Sequence, residues 1–166
     1  IVGGGLAGLS LGLALRRAGV PATVVEAGDY PRHRVCGEFI TGLTSNTIER
    51  LDLAPHLAGA LHHTEVAWFL PQAEKPARIQ HLPSPALGLS RYALDARLAG
   101  AFVAAGGDLR TNERATDLAP KPGRIFATGR RRGGSTWLGL KIHARRLPLT
   151  RDLELHLGDH AYVGLS

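Results

Sequence analysis

The pattern of apolar and polar residues over the first 26 positions predicts a strand, a helix and a second strand, in that order. Ile1-Val2 is apolar and β-branched, and it leads directly into a run of glycines. Apolar residues then recur near helical spacing from Leu6 to Arg17, and Ala18-Gly19 ends that pattern. The β-branched stretch Val20 to Val25 follows and stops at Glu26. This order predicts a β-α-β unit, the building block of a parallel sheet covered by helices.

Beyond this unit, the pattern predicts two more helices and a series of short strands. Ser45 to Leu53 is predicted as a helix capped by Ser45, and a longer helix is predicted after an N-cap at Ser90. Strands are predicted at Thr64 to Leu70, Arg78 to Leu82, Arg124 to Ala127, Trp137 to Ala144, Leu153 to Leu157 and Ala161 to Leu165. The last two are expected to form a hairpin that turns at Gly158-Asp159.

The glycines between the first strand and helix match Gly-x-Gly-x-x-Gly. Gly3 permits a tight bend, Gly5 lets the backbone approach a pyrophosphate, and Gly8 lets the helix pack closely. Glu26 ends the second strand about 20 residues later, where an acid accepts hydrogen bonds from an adenosine ribose. The motif therefore predicts a dinucleotide site for NAD or FAD, because the acid would repel the ribose phosphate of NADP. The alternative is a glycine-rich turn with an unrelated surface glutamate.

Composition limits the class of protein. With 166 residues, of which 44% are hydrophobic, the chain is long enough for about one domain with a core. It contains no apolar run near the roughly 20 residues of a membrane helix, and it contains no signal peptide. We therefore expect a cytoplasmic location, without an integral membrane segment. Cys36 is the single cysteine, and no methionine is present. We therefore expect no internal disulfide, and we expect residues to be missing before Ile1.

The net charge of +6 raises the possibility of nucleic-acid binding, with clusters at Arg130-Arg131-Arg132 and Arg145-Arg146. These arginines lie beside glycines and a proline, and aromatic residues make up only 5% of the chain. We therefore expect a solvated loop or steering of an anionic ligand rather than nucleic-acid binding. The eight histidines show no ligand spacing, and the adjacent His62-His63 would point to opposite faces of a strand, so no metal is expected.

Two segments resemble a known family. Glu26 is followed by Pro31-Arg32-His33-Arg34-Val35-Cys36-Gly37-Glu38, and a later stretch reads Arg91-Tyr92-Ala93-Leu94-Asp95-Ala96-Arg97-Leu98 before Gly106-Gly107. Together with the glycine turn, they resemble the FAD-dependent oxidoreductases of the geranylgeranyl reductase and aromatic-hydroxylase superfamily. The resemblance implies an α/β fold, with a Rossmann-like FAD/NAD(P)-binding domain and part of an inserted mixed β-sheet substrate domain.

The resemblance also implies roles for individual residues. Ala7 and Glu26 would contact the FAD pyrophosphate and ribose, and Arg91 would answer a phosphate or ribityl oxygen. Arg34, Cys36 and Gly37 would line the cofactor near the ribityl and flavin. Ala115, expected to open a short strand, would offer its backbone to the adenine. The full set of expected cofactor-binding residues is Gly3, Gly5, Ala7, Gly8, Glu26, Arg34, Cys36, Gly37, Arg91 and Ala115.

Simpler roles exist for Arg91 and Cys36, and also for the neighbouring Glu38. Arg91 could be an exposed residue of a first helical turn, although an arginine there is poorly matched to the helix dipole. Cys36 could be a small buried apolar residue rather than a reactive thiol. Glu38 could be a proton donor, but an ion pair with Arg32 or Arg34 is the better interpretation.

The expected domains are residues 1–60 and 88–130 for FAD binding, and 61–87 and 131–166 for part of the substrate domain. The expected function is FAD-dependent oxidation or reduction of a hydrophobic or aromatic small molecule, as a fragment of a longer enzyme, with NADH or NADPH as possible electron donors. Alternatives are an NAD-dependent dehydrogenase, which predicts a helix near residues 30–42, and a non-catalytic dinucleotide-binding remnant. Catalytic residues, substrate and oligomeric state stay open.

Overall fold

The computed structural model describes residues 1–129 and 136–166, which fall into two compact units. The first unit contains Ile1–Arg34, Leu51–His56 and Arg91–Leu138, and the second contains Val35–Arg50, Leu57–Ser90 and Gly139–Ser166. Residues 35–50 fall in the second unit because their short strand pairs with a strand of that unit. The Arg130-Arg131-Arg132 cluster and the expected domain boundary at residue 130 lie outside the described residues.

The described residues form three α-helices, one 3₁₀ helix and seven strands. In chain order they are α1 (Leu6–Arg17), β1 (Thr23–Val25), β2 (Phe39–Ile40), α2 (Ser45–Arg50), a 3₁₀ helix (Ala54–Leu57), β3 (Leu61–Phe69), β4 (Arg78–Gly88), α3 (Arg91–Ala104), β5 (Asp108–Arg110), β6 (Glu154–Gly158) and β7 (Ala161–Leu165). None of these helices is long and apolar enough to cross a membrane.

The first unit is built on parallel backbone pairing. Strand β1 pairs in parallel with β5, with Val24 opposite Leu109. Val2 forms parallel bridges to Val25 on one side and to Phe126 on the other. The strand expected at 124–127 is thus reduced to the Phe126 bridge, and Phe126 is 42% exposed. The predicted parallel α/β arrangement is confirmed.

Helices α1 and α3 cover this sheet and form its core. Helix α1 spans the predicted range, and α3 begins directly after Ser90, as expected. The core residues with 0–1% exposure include Leu9, Leu13, Val24, Leu98 and Phe102. Burial of each such side chain contributes about 1.5–3 kcal/mol. The packing of α1 against α3 and the sheet therefore fixes the position of the glycine turn at the N-terminus of α1.

The second unit is a five-stranded mixed sheet in the order β2-β4-β3-β6-β7. Strands β3 and β6 are parallel, and every other pair is antiparallel. The predicted hairpin is confirmed, because Gly158 pairs with Ala161 across the turn. Strand β4 extends through Pro83 and Pro85, which the sequence placed outside a strand. A register shift after His63 accommodates these residues, since proline cannot donate a ladder hydrogen bond.

Three further local predictions are wrong. Residues 137–144 form no strand, and Leu138, Leu140 and Ile142 are 82–87% exposed because no neighbouring strand pairs with them. Helix α2 ends at Arg50 instead of reaching residue 53. Its cap is Thr44 rather than Ser45, because the Thr44 Oγ1 accepts a hydrogen bond of 3.2 Å from the Thr47 N–H.

Candidate functional site

Two glycines of the turn are required by packing within the chain. Gly3 has a φ of 106°, and a Cβ there would lie 2.7 Å from the carbonyl carbon of Ala127. A Cβ at Gly8 would overlap the carbonyl oxygen of Gly3. Any side chain at either position would force the first strand, the helix and residue 127 apart. These glycines therefore allow the tight strand-to-helix turn that the sequence predicts.

Gly5 differs from these two, because neither its backbone nor its neighbours require glycine. Its φ of −82° and ψ of −171° are open to any residue. A Cβ at Gly5 would find only one atom within 4 Å, the Nη2 of Arg91 at 4.0 Å. The missing side chain thus leaves a space that faces an arginine.

The N-terminus of α1 opens at the same point. Gly5 is its N-cap and has no side chain to accept the first helical N–H groups, and the first turn contains no acid. The N–H groups of Leu6, Ala7 and Gly8 have no carbonyl partner within a regular helix. They give this helix end a partial positive charge suited to an anion, and Ala7 is exposed there.

Arg91 is held beside this turn by a buried acid. Asp95 is 1% exposed, and its carboxylate accepts two hydrogen bonds from Arg91, Nε to Oδ1 at 2.7 Å and Nη2 to Oδ2 at 2.9 Å. Arg34 adds a third, from Nε to Oδ2 at 3.3 Å. One buried carboxylate therefore fixes two arginines, and the cluster has an excess positive charge. The Arg91 side chain is 15% exposed, so it is not the exposed surface residue of the simpler interpretation.

Arg34 has a donor without an acceptor. Its Nη2 is buried and has no hydrogen-bond partner within residues 1–129 and 136–166. The Oε2 of Glu26 stands 3.6 Å away, which is an ion-pair distance but too long for a hydrogen bond. Because a buried donor without a partner costs about 1–3 kcal/mol, this atom suits an acceptor supplied by a ligand.

Glu26 lies beneath the glycine turn and is only 5% exposed. Its Oε2 accepts the Gly4 N–H at 2.8 Å, and its Oε1 accepts the Gly28 N–H at 3.1 Å and Arg32 Nη2 at 3.0 Å. The Tyr30 hydroxyl donates to the Gly4 carbonyl oxygen. Burial and the nearby Glu26 raise the pKa of Tyr30, so this donor stays protonated. Glu26 therefore stabilises the glycine turn through its hydrogen bond with the Gly4 N–H.

The expected ion pair between Glu38 and Arg32 or Arg34 is wrong. Arg32 pairs with Glu26, and Arg34 pairs with Asp95. Glu38 instead binds Lys141, with Nζ and Oε1 2.6 Å apart. Cys36, Gly37 and Glu38 belong to the second unit, and Arg34 belongs to the first.

The strand expected at Ala115 does not form. Backbone hydrogen bonds from Asn112 to Gly28 (2.9 Å) and from Glu113 to Glu26 (3.0 Å) end the pairing before Ala115, which is half-buried. Its contact with adenine stays a prediction.

Residues 30–42, all described, contain no helix, which removes the main feature expected of an NAD-dependent dehydrogenase. In the described part of the chain, no group of three potential metal ligands comes together.

Asp95 is the site residue that sequence reasoning missed. It is an acid between apolar residues of a helix, four positions after Arg91, and this spacing is a recognisable ion-pair signal. Its second partner, Arg34, lies 61 residues away in sequence, so the full cluster is visible only in the fold.

Comparison with known proteins gives a consistent result. A family model described as FAD binding domain matches residues 1–119. A menaquinone reductase from Mycolicibacterium smegmatis is 26% identical over 130 residues, which cover 76% of this chain and 32% of that protein.

Solved structures agree in fold. A flavin-dependent brominase is 23% identical, with a TM-score of 0.56 over 72% of this chain and 30% of its own. A p-nitrophenol 4-monooxygenase from Pseudomonas putida is 18% identical, with a TM-score of 0.61 over 72% and 33%. The chain thus spans about a third of the length of these relatives.

Proposed function

The chain belongs to the FAD binding domain family, and from this we propose that it binds FAD on the glycine turn and forms the cofactor-binding part of an oxidoreductase. The proposed substrate is a hydrophobic or aromatic small molecule. We further propose that the first unit is the FAD domain and that the second unit is part of a substrate domain. A cytoplasmic location is also proposed.

The observation that supports FAD binding most strongly is the space at Gly5. The fold requires glycine at residues 3 and 8, but at residue 5 it would accept a side chain. A glycine there is explained when a ligand occupies the position of the missing Cβ. The positive end of α1 and the guanidinium of Arg91 both border that space, so the ligand is an anion such as a pyrophosphate.

The residues present fit the rest of FAD. Arg34 Nη2 supplies an unused donor for a phosphate or ribityl oxygen. Glu26 is placed to accept ribose hydroxyl groups if they replace Arg32, whose side chain is 41% exposed and easily displaced. Cys36 and Gly37 are proposed to line the flavin, and Ala115 to contact the adenine.

When bound, FAD accepts and donates hydride or single electrons, so the cofactor supplies the redox chemistry. The residues of this chain bind it, orient it and neutralise its two phosphate charges. Glu26 and Tyr30 hold the turn in place, and Asp95 holds the two arginines. The relatives include a reductase and a monooxygenase, and both reaction types are compatible with this arrangement.

Calorimetric titration of the purified protein with FAD and with NAD tests the proposal. We expect FAD to bind at least about ten-fold more tightly than NAD, and we expect flavin absorption bands to co-purify. Equal affinity for the two dinucleotides, or binding of neither, would contradict it.

A further inference from the structure

We propose that Glu38 is a positioning residue that fixes the Cys36-Gly37 loop in the shape that FAD requires. The inference rests on the proposed function, because that function assigns Cys36 and Gly37 to the flavin. The inference goes beyond the proposed function by naming the side chain that orders this loop. All of the contacts involved lie within the second unit.

Glu38 connects the loop to two distant parts of the chain. Its Oε1 binds Lys141 Nζ at 2.6 Å and accepts a hydrogen bond from Ser90 Oγ at 3.1 Å. Its Oε2 lies 3.4 Å from His143 Nε2, and its backbone carbonyl accepts the Leu89 N–H at 3.0 Å. One residue thus ties the loop both to the segment before α3 and to residues 141–143.

The ion pair with Lys141 is well protected from water. The side chains of Lys141 and Glu38 are 13% and 15% exposed, whereas Leu140 and Ile142, on either side of Lys141, are 83% and 87% exposed. Residues 137–144 belong to no strand, so no backbone ladder holds Lys141 in place. The pair with Glu38 compensates the charge of Lys141, and loss of either partner leaves the other charge partly buried and uncompensated.

The backbone of Glu38 supports a positioning role. Its φ is 58°, in the left-handed region, which costs a residue other than glycine about 1–2 kcal/mol. Such a conformation persists only when surrounding contacts impose it, and it is common next to binding sites. The Glu38 N–H also donates to the Cys36 Sγ, at 3.4 Å, so Glu38 contacts the loop directly. The carboxylate contacts of Glu38 hold this strained residue in place, and through it they support the loop that contains Cys36 and Gly37.

Cys36 provides a direct measure of loop order, because it is the only cysteine in the chain. Its reaction rate with a neutral thiol reagent, N-ethylmaleimide, is measured without FAD for wild type, Glu38→Gln and Lys141→Met. The controls are Glu74→Gln and Lys75→Met, two exposed positions in the loop between β3 and β4. Circular dichroism establishes that each variant is folded.

The two variants separate positioning from simple charge effects. If the pair acted only through its charges, the two variants would change the reaction rate in opposite directions. Removal of the negative Glu38 would favour the thiolate and raise the rate, and removal of the positive Lys141 would disfavour the thiolate and lower the rate. If the pair orders the loop, both changes release Cys36, and we expect both rates to rise about five-fold or more. The controls should stay within about two-fold of wild type. A rise for Glu38→Gln with a fall for Lys141→Met would overturn the proposal.

FAD affinity then links the loop to the cofactor. By charge alone, Glu38→Gln would strengthen binding of the anionic FAD, whereas loss of positioning weakens it through the added cost of ordering the loop. We expect the Kd to rise about ten-fold for Glu38→Gln and for Lys141→Met. An unchanged or lower Kd for Glu38→Gln overturns the proposal. Failure of the wild type to bind FAD is instead a failure of the proposed function, and it is seen without any variant.

Discussion

At the scale of single residues, the glycines of one motif have different physical roles. A side chain at Gly4 would approach the Glu26 Cβ within 2.9 Å, and Gly3 and Gly8 are restricted by nearby backbone. Gly5 alone in this turn borders open space. The sequence identified the turn correctly, but only the surrounding atoms distinguish the three packing glycines from the one that leaves room for a ligand.

Glu26 and Arg32 form an ion pair, but we expect the two residues to contribute very differently to stability and to FAD binding. Glu26 is buried and accepts two backbone N–H groups, whereas the Arg32 side chain is 41% exposed. We expect Glu26→Ala to weaken FAD binding at least about ten-fold and to lower stability by about 1–3 kcal/mol, because buried donors lose their acceptor. Arg32→Ala should alter stability by less than about 1 kcal/mol.

Urea unfolding and calorimetry of both variants check this prediction. Equal effects of the two substitutions would show that the carboxylate does not organise the turn. Stronger FAD binding by Arg32→Ala would agree with the account, because ribose is proposed to replace Arg32 on Glu26.

At the scale of secondary structure, local signals were sufficient where an element depends on its own sequence. Helix α1 has the predicted bounds, because its apolar spacing and the Ala18-Gly19 stop are local. Strand β7 also has the predicted bounds. The predicted strands at Trp137 and Ala115 failed because a strand needs a neighbour, and alternation along one segment does not reveal whether a partner is present.

The lack of information about distant partners also explains why the ion pair predicted for Glu38 was wrong. Arg32 and Arg34 were the nearest cations in sequence, but Glu26 and Asp95 bind them. Lys141 became the partner of Glu38 through a contact that spans about a hundred residues, and no local pattern predicts such a contact.

Gly12 sets how closely α1 packs on α3 and the sheet. A Cβ at this position would lie 3.0 Å from Phe102 Cε2 and 3.1 Å from Val24 Cγ2, and all of these atoms are in the core. We expect Gly12→Val to lower the free energy of unfolding by about 1–3 kcal/mol, because the core would be overpacked. Urea denaturation measures this, with Gly100→Val as the control in open space on α3. Unchanged stability of Gly12→Val would contradict the described packing.

At the scale of the whole molecule, charge favours an anionic ligand. The chain has a net charge of +6, and the candidate site combines a helix N-terminus with Arg34 and Arg91 around one Asp95. We expect the Kd for FAD to rise several-fold as salt is raised from low to about 0.5 M, because screening weakens the attraction of the phosphates.

Arg91→Gln should show weaker FAD binding and a smaller salt dependence than wild type, since one of the phosphate-binding cations is removed. Calorimetry over a salt series measures both quantities. A salt dependence identical to that of wild type would show that Arg91 does not contact the phosphates.

The most direct test of the account is FAD affinity measured together with thermal stability for Gly5→Val and Gly100→Val. Valine at Gly5 meets no backbone obstacle, so we expect its melting temperature within about 3 °C of wild type. Its FAD affinity should fall at least about 100-fold, because the side chain occupies the phosphate position. Gly100→Val should bind FAD like wild type. FAD binding that survives in Gly5→Val would contradict the central claim that this space holds the pyrophosphate.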